Sequence, residues 1–101
     1  MSRVCHVVLF QIKAGVTQEE VSEIYRELEG LKSLVSGLVE FSGGAYTSKE
    51  GLNKNFTHAF TMIFDTEASR DAYLPHPEHE RVKKLIISMI DDVVAFDYLL
   101  V

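Results

Sequence analysis

The sequence predicts an α+β fold whose elements follow the order β-α-β-β-α-β. Three observations support this prediction. Segments rich in β-branched and aromatic residues occur near both ends of the chain and twice between them. An amphipathic helical pattern follows the first of these segments, and a second helical region, interrupted by Pro75 and Pro77, precedes the last. With 101 residues, 47% of them apolar and 25% charged, the chain is predicted to form a single domain over residues 1–101.

Residues 3–13 predict the first strand, and both of its side-chain phases are apolar. One phase carries Val4, His6, Val8, Phe10 and Ile12, and the other carries Cys5, Val7 and Leu9. A strand with one face in water would alternate apolar and polar residues. We therefore expect both faces of the sheet to be covered, and we expect Cys5 to be a buried small hydrophobic residue.

The first helix is predicted to begin after Thr17, which forms a capping box with Glu20. Its apolar residues recur at intervals of three and four as far as about Val35, which gives one buried stripe. Gly37 ends this unit. The helix is therefore expected to cover one face of the sheet with that stripe.

Two further strands follow. Residues 38–47 predict the second strand, weakened or bulged at Gly43 and Gly44. Polar, turn-forming residues 48–55 predict an exposed loop, and residues 56–65 predict the third strand. On that strand His58 shares one face with large apolar side chains.

The second helical region is predicted in two parts. Thr66 caps a short helix over residues 67–74, which Pro75 ends because a residue before proline avoids the α conformation. Pro77 suits the first turn of a new helix. Residues 92–100 predict a fourth strand that is again apolar in both phases.

This order is that of the ferredoxin-like βαββαβ fold with a four-stranded antiparallel sheet. Its helices cover only one face of the sheet. Because the first and last strands are apolar on both faces, the other face needs a second protein surface. We therefore predict a homodimer whose two sheets face each other about a two-fold axis.

Charge and composition exclude several functions. The net charge is −5 and no Lys/Arg cluster occurs, which argues against nucleic-acid binding. No apolar run approaches the roughly 20 residues that span a bilayer, so no membrane association is expected. Cys5 is the single cysteine, which rules out an intrachain disulfide. Together these features predict a cytoplasmic protein.

Four segments carry a family resemblance: His6–Lys13, Phe56–His58, Asp71–His79 and Ala95–Tyr98. They resemble the stress-responsive A/B-barrel domain family, the dimeric α+β barrel proteins. The pattern Tyr-x-x-His-Pro-x-His over residues 73–79 is the most specific part. The resemblance spans nearly the whole chain and implies a homodimer in which two four-stranded sheets form a barrel with helices outside.

The resemblance also implies site residues. In one plant member, which cyclises a linear polyketide without metal or cofactor, the catalytic histidine corresponds to His79 and its partner tyrosine to Tyr73. Further pocket histidines of that enzyme correspond to His6, His58 and His76. The resemblance therefore implies no cofactor for this chain, and a pocket near Tyr73 and His79.

The first helix departs from that enzyme. A second pocket tyrosine there corresponds to Leu28 here, with Tyr25 nearby but on a different side of the helix. The substrate pocket of this chain is therefore expected to differ, even though the pair formed by Tyr73 and His79 is retained.

Three functions fit these residues. The first is binding of a small apolar or carbonyl-containing ligand near Tyr73 and His79 without catalysis. The second is a cofactor-independent cyclase or lyase, in which His79 removes a proton α to a carbonyl and Tyr73 donates to the enolate. The third is a metal- or haem-dependent monooxygenase, which follows from fold analogy alone.

A purely structural role is the alternative for each candidate. A histidine on an apolar strand face, such as His6 or His58, is commonly a core residue with a hydrogen-bond partner. His76 can cap the last helix. His79 can bond to the backbone, and Tyr73 can be a core aromatic residue.

Overall fold

A computed structural model describes residues 2–100. The strands are β1 (Val4–Ile12), β2 (Leu38–Ala45), β3 (His58–Phe64) and β4 (Ile90–Leu99). The helices are α1 (Gln18–Gly30), α2 (Glu67–Tyr73) and α3 (Pro77–Ile87), and a 3-10 turn, Leu31–Ser33, follows α1. The order βαββαβ is confirmed, with the second helical unit divided in two.

The strands form one four-stranded sheet in the order β2-β3-β1-β4, and each neighbouring pair is antiparallel. This is the predicted ferredoxin-like topology. No helix in residues 2–100 is both long and apolar enough to cross a membrane. The cytoplasmic location stays a prediction.

The start of α1 has the predicted capping box. The Glu20 backbone N–H donates to Thr17 Oγ1 at 3.1 Å, and the Thr17 backbone N–H donates to Glu20 Oε1 at 2.9 Å. The α-helical conformation ends earlier than expected, at Gly30, because the chain tightens there into the 3-10 turn. Gly37 ends the unit with φ +87°, and a Cβ there would lie 2.3 Å from Ser69 Oγ. Only glycine permits this contact with α2.

The irregularity in β2 lies elsewhere than predicted. The register shifts between Leu38 and Glu40, whereas Gly43 and Gly44 pair regularly with β3. Gly43 has a packing role instead: a Cβ there would lie 2.8 Å from Cε1 of Tyr25. The glycine therefore makes room for an aromatic ring, and it does not interrupt the strand.

The core lies between the helices and one face of the sheet. Fully buried side chains from both layers meet there, among them Phe10, Leu28, Phe64, Tyr73 and Val82. Phe10 and Phe64 belong to the helix-facing phase of their strands, and Leu28, Tyr73 and Val82 belong to the helices. Their burial confirms the predicted stripe of α1 and the first phase of β1.

The opposite sheet face is apolar and open in the single chain. Val7 pairs with Phe96 and Leu9 pairs with Val94 on this face. Phe96 is 66% exposed and Val94 is 45% exposed. Cys5 on the same face is buried, as expected. The second apolar phase of β1 and β4 is therefore real, and within residues 2–100 no helix covers it at β4.

Candidate functional site

A cavity of about 270 Å³ lies between α3 and the helix-facing side of the sheet. Its lining is mostly aliphatic and aromatic and comes from β1, β3, β4, α1 and the segment from Tyr73 to Ile87. Four polar side chains also line it: His6, Tyr73, His79 and Lys83. A small apolar cavity with a few convergent polar groups has the general form of a ligand site.

Tyr73 and His79 meet at this cavity because the chain breaks between α2 and α3. Tyr73 is the last residue of α2, and His79 lies in the first turn of α3. Their ring centroids are 4.1 Å apart with an interplanar angle of 27°. The proline-induced break therefore brings the two sequence-predicted residues into contact beside one cavity.

The hydrogen bond made by His79 determines its tautomer. His79 Nδ1 lies 2.9 Å from the backbone oxygen of Leu74. A carbonyl oxygen only accepts, so Nδ1 carries the proton and Nε2 of the neutral ring is the basic atom. Burial lowers the pKa of His79; the bond to Leu74 opposes this, and the charge of Lys83 adds to it. His79 is therefore neutral, with Nε2 unprotonated, at neutral pH.

The hydroxyl of Tyr73 is a protonated donor. Its side chain is buried, and burial raises its pKa well above the ordinary value of 10.0. No hydrogen bond from residues 2–100 contributes to this shift. In the same part of the chain no side-chain polar atom is both buried and unpartnered, so the Tyr73 oxygen retains open space beside it. The O–H is thus available to a bound molecule.

His6 is hydrogen-bonded to Asp97, a contact that the sequence analysis did not predict. His6 Nδ1 donates to Asp97 Oδ1 at 2.5 Å, and Arg70 Nη1 donates to Asp97 Oδ2 at 2.5 Å. Burial alone would raise the pKa of Asp97, but the bonds from His6 and Arg70 outweigh it and lower that pKa. The Asp97 carboxylate therefore stays ionised and accepts from both His6 and Arg70.

The signal for Asp97 was present in the sequence. Asp97 follows Val93 and Ala95 in the same phase of β4, where an acid among apolar residues requires a partner. The register places it opposite His6. The ring of His6 then lies edge-on to Tyr73, with centroids 6.2 Å apart.

His58 and His76 lie away from this cavity. His58 lines a separate, more open groove between α1 and β2, where its ring stacks on Phe10 and its Nδ1 lies 2.8 Å from Thr57 Oγ1. His58 pairs with Phe10 of β1. Because Phe10 is four residues from His6, the two histidines are separated by about 13 Å along the strand direction. Burial lowers the pKa of His58.

His76 is the N-cap of α3. The Glu78 backbone N–H donates to His76 Nδ1 at 3.0 Å. Helix capping is the structural role that the sequence analysis gave as the alternative for His76. Its involvement in ligand binding remains a prediction, as does that of His58.

Leu28 and Tyr25 of α1 lie at different sites. Leu28 lines the cavity of Tyr73 and His79, whereas Tyr25 lines the groove of His58. The Tyr25 hydroxyl donates to Ala59 O at 3.0 Å, and burial raises the pKa of Tyr25 to about 12. Where the plant cyclase was expected to have a pocket tyrosine, Leu28 therefore gives this cavity an apolar wall.

Comparisons with known proteins agree with this geometry. The family model of the stress responsive A/B barrel domain matches residues 4–100. The stress-response A/B barrel domain-containing protein HS1 of Arabidopsis thaliana is 30% identical over 92% of this chain and 85% of its own length. Olivetolic acid cyclase of Cannabis sativa is 19% identical over 92% of both chains.

A solved structure shows the same architecture. A dimeric ferredoxin-like protein of unknown function from Thermobifida fusca superposes with a TM-score of 0.83 at 26% identity, covering 98% of this chain and 92% of that one. The match of sequence pattern, family model and fold leads to one conclusion. The chain belongs to the stress-responsive A/B barrel domain family.

Proposed function

We propose that this protein binds a small apolar compound bearing a carbonyl group in the cavity beside Tyr73 and His79. The observation that carries the proposal is the pairing of a free Tyr73 donor with an unprotonated Nε2 of His79 beside one apolar cavity. The cavity volume of about 270 Å³ equals the share of roughly nine water molecules in the liquid. A ligand of similar size, with one carbonyl directed to Tyr73, fits that space.

A second candidate function, cofactor-independent cyclase or lyase chemistry, is favoured by the bond from His79 to Leu74. Because Nδ1 is committed to that carbonyl, Nε2 is free to take a proton from the carbon α to the ligand's carbonyl. The C–H electron pair then moves toward the carbonyl oxygen, and the Tyr73 hydroxyl donates to the resulting enolate. The similarity to olivetolic acid cyclase over most of the chain supports a cyclase as this second candidate.

Proton exchange tests both functions together. We would incubate the protein in D₂O with 2-heptanone, a ketone of eight heavy atoms, and follow loss of the α-proton signals by NMR. Binding of the ketone would be measured in parallel by titration calorimetry. Catalysis predicts exchange faster than in buffer, reduced about 10²–10⁴-fold in His79→Ala and 10²–10³-fold in Tyr73→Phe. His58→Asn, in the other groove, is the matched control and should leave the rate unchanged.

The outcomes separate the two candidates. Binding without accelerated exchange would refute the catalytic function and retain the binding function. Absence of both would refute the two together. Because the pKa of His79 is lowered from 6.5, the exchange rate should decline as pH falls, with a midpoint below pH 6.5. A midpoint at or above pH 6.5 would remove His79 as the base.

We also propose that a second copy of the chain covers the open sheet face that Phe96 and Val94 expose. The dimeric ferredoxin-like protein from Thermobifida fusca, which shares this fold, supports this proposal. Within residues 2–100, no three His, Cys, Asp or Glu residues are grouped so that they could hold a metal ion.

A further inference from the structure

We infer that the cavity selects ligands carrying a carboxylate, which Lys83 binds at the cavity mouth while the apolar part of the ligand lies inside. This inference rests on the proposed function, because it concerns the same cavity. With a carbonyl near Tyr73 and a carboxylate near Lys83, the preferred ligand class is a short-chain oxo acid.

Lys83 is the one permanently charged side chain in the cavity lining. It follows His79 by four residues on α3, so the two side chains lie on the same helix face. The lining residues include no Asp or Glu. The permanent positive charge of Lys83 therefore has no compensating carboxylate in the cavity lining.

The position of Lys83 is at the rim. Its side chain is 47% exposed, whereas Leu28 and Val82 in the same lining are fully buried. The apolar walls extend inward from that rim. An ammonium group beside a low-dielectric surface attracts an anion more strongly than one surrounded by water.

The existing partner of Lys83 is easily displaced. Lys83 Nζ lies 3.4 Å from Glu80 Oε1, and both side chains are about half exposed. Exposed ion pairs contribute little to stability, because solvent screens the two charges and both side chains lose conformational freedom. Glu80 does not line the cavity, so a ligand carboxylate can replace it while the rest of the ligand gains apolar contact.

Calorimetry with matched ligands tests this inference. The probes are 6-oxoheptanoate, its amide 6-oxoheptanamide, and 2-heptanone. We expect the wild type to bind the acid roughly fivefold more tightly than the amide, near the upper limit for a half-exposed charge pair. Lys83→Gln should abolish this preference, so that it binds the acid no more tightly than the amide, whereas Lys83→Arg should retain the preference. Lys84→Gln, one residue further on the same helix but outside the lining, is the charge-matched control and should behave as the wild type.

The outcomes distinguish this inference from the proposed function. Equal binding of acid and amide by the wild type, or an undiminished preference in Lys83→Gln, would overturn the role of Lys83 while ketone binding still supported the cavity. Weakening of all three ligands by the same factor in Lys83→Gln would show that the lysine stem only covers the apolar rim. Failure of the wild type to bind any of the three would overturn both proposals.

Discussion

Replacing Arg70 with methionine should destabilise the protein by about 2 kcal/mol, because Asp97 would lose one of its two partners. Arg70 and Asp97 are 19% and 24% exposed at their side chains, and the bond between them is 2.5 Å long. Breaking one partner from a fully buried pair costs about 3–5 kcal/mol, and a hydrogen bond to a charged group contributes about 1.5–3 kcal/mol. Partial solvent access to both groups reduces the first range toward the second.

Thermal and urea unfolding, followed by circular dichroism at a fixed protein concentration, measure this loss. A change of about 2 kcal/mol lowers the Tm of a domain of this size by roughly 8–16 °C. Arg81→Met is the matched control. Arg70 binds the carboxylates of Asp97 and Asp71, and Arg81 likewise binds those of Glu27 and Glu78, but at the exposed surface. Its loss should be clearly smaller.

A double-mutant cycle with Asp97→Asn isolates the pair. The two substitutions together should cost less than the sum of their separate losses by about 1–2 kcal/mol, because either one removes the same bond. The reasoning fails if Arg70→Met is no more destabilising than Arg81→Met, or if the losses of the two substitutions simply add.

Three further predictions concern pH, backbone and assembly. Because the folded-state pKa of Asp97 lies below 3.8, its ionisation stabilises the fold above that pH. This contribution to the free energy of unfolding should disappear as pH falls from 3.8 through the lower folded pKa. Urea titrations over pH 2–6 that show no such decrease would contradict the pairing. Gly37→Ala should lower the free energy of unfolding by about 3 kcal/mol, because a positive φ is combined there with a steric clash. Gly51→Ala, with a positive φ but open space, should lower it by about 1 kcal/mol. Equal losses of stability in thermal unfolding would rule out the clash. Phe96→Glu should shift the light-scattering mass from two chains to one, whereas Leu52→Asp in the exposed loop should leave it unchanged; a dimeric Phe96→Glu variant would exclude this face as the interface.

Local signals account for most of the fold that was predictable from the sequence. Thr17 and Glu20 form the expected capping box because both partners lie within one turn. Pro75 and Pro77 divide the second helical unit because proline constrains its neighbours wherever it occurs. The packing role of Gly43 was not predictable, because it depends on Tyr25 of α1 lying against β2, and the register shift of β2 lies instead between Leu38 and Glu40.

The candidate site was predictable to a similar extent. Tyr73 and His79 are six residues apart, so the helix break alone brings them together. Arg70 and Asp97 are 27 residues apart, and His6 and Asp97 are 91 apart, so only the strand register reveals that they meet. The same register separates His58 from His6, although both occupy apolar strand faces.

One feature of β4 links the cavity to the open sheet face. Val93, Ala95 and Asp97 face the cavity side of the sheet, and the residues that alternate with them face the opposite side, where we propose that the second copy docks. A displacement of this one strand therefore alters both surfaces at once. Thermodynamic linkage then requires reciprocity: a ligand that shifts β4 changes the dimer dissociation constant by the factor by which dimerisation changes ligand affinity. Sedimentation equilibrium with and without 6-oxoheptanoate measures that factor, and a value of one would show that the two faces of β4 act independently.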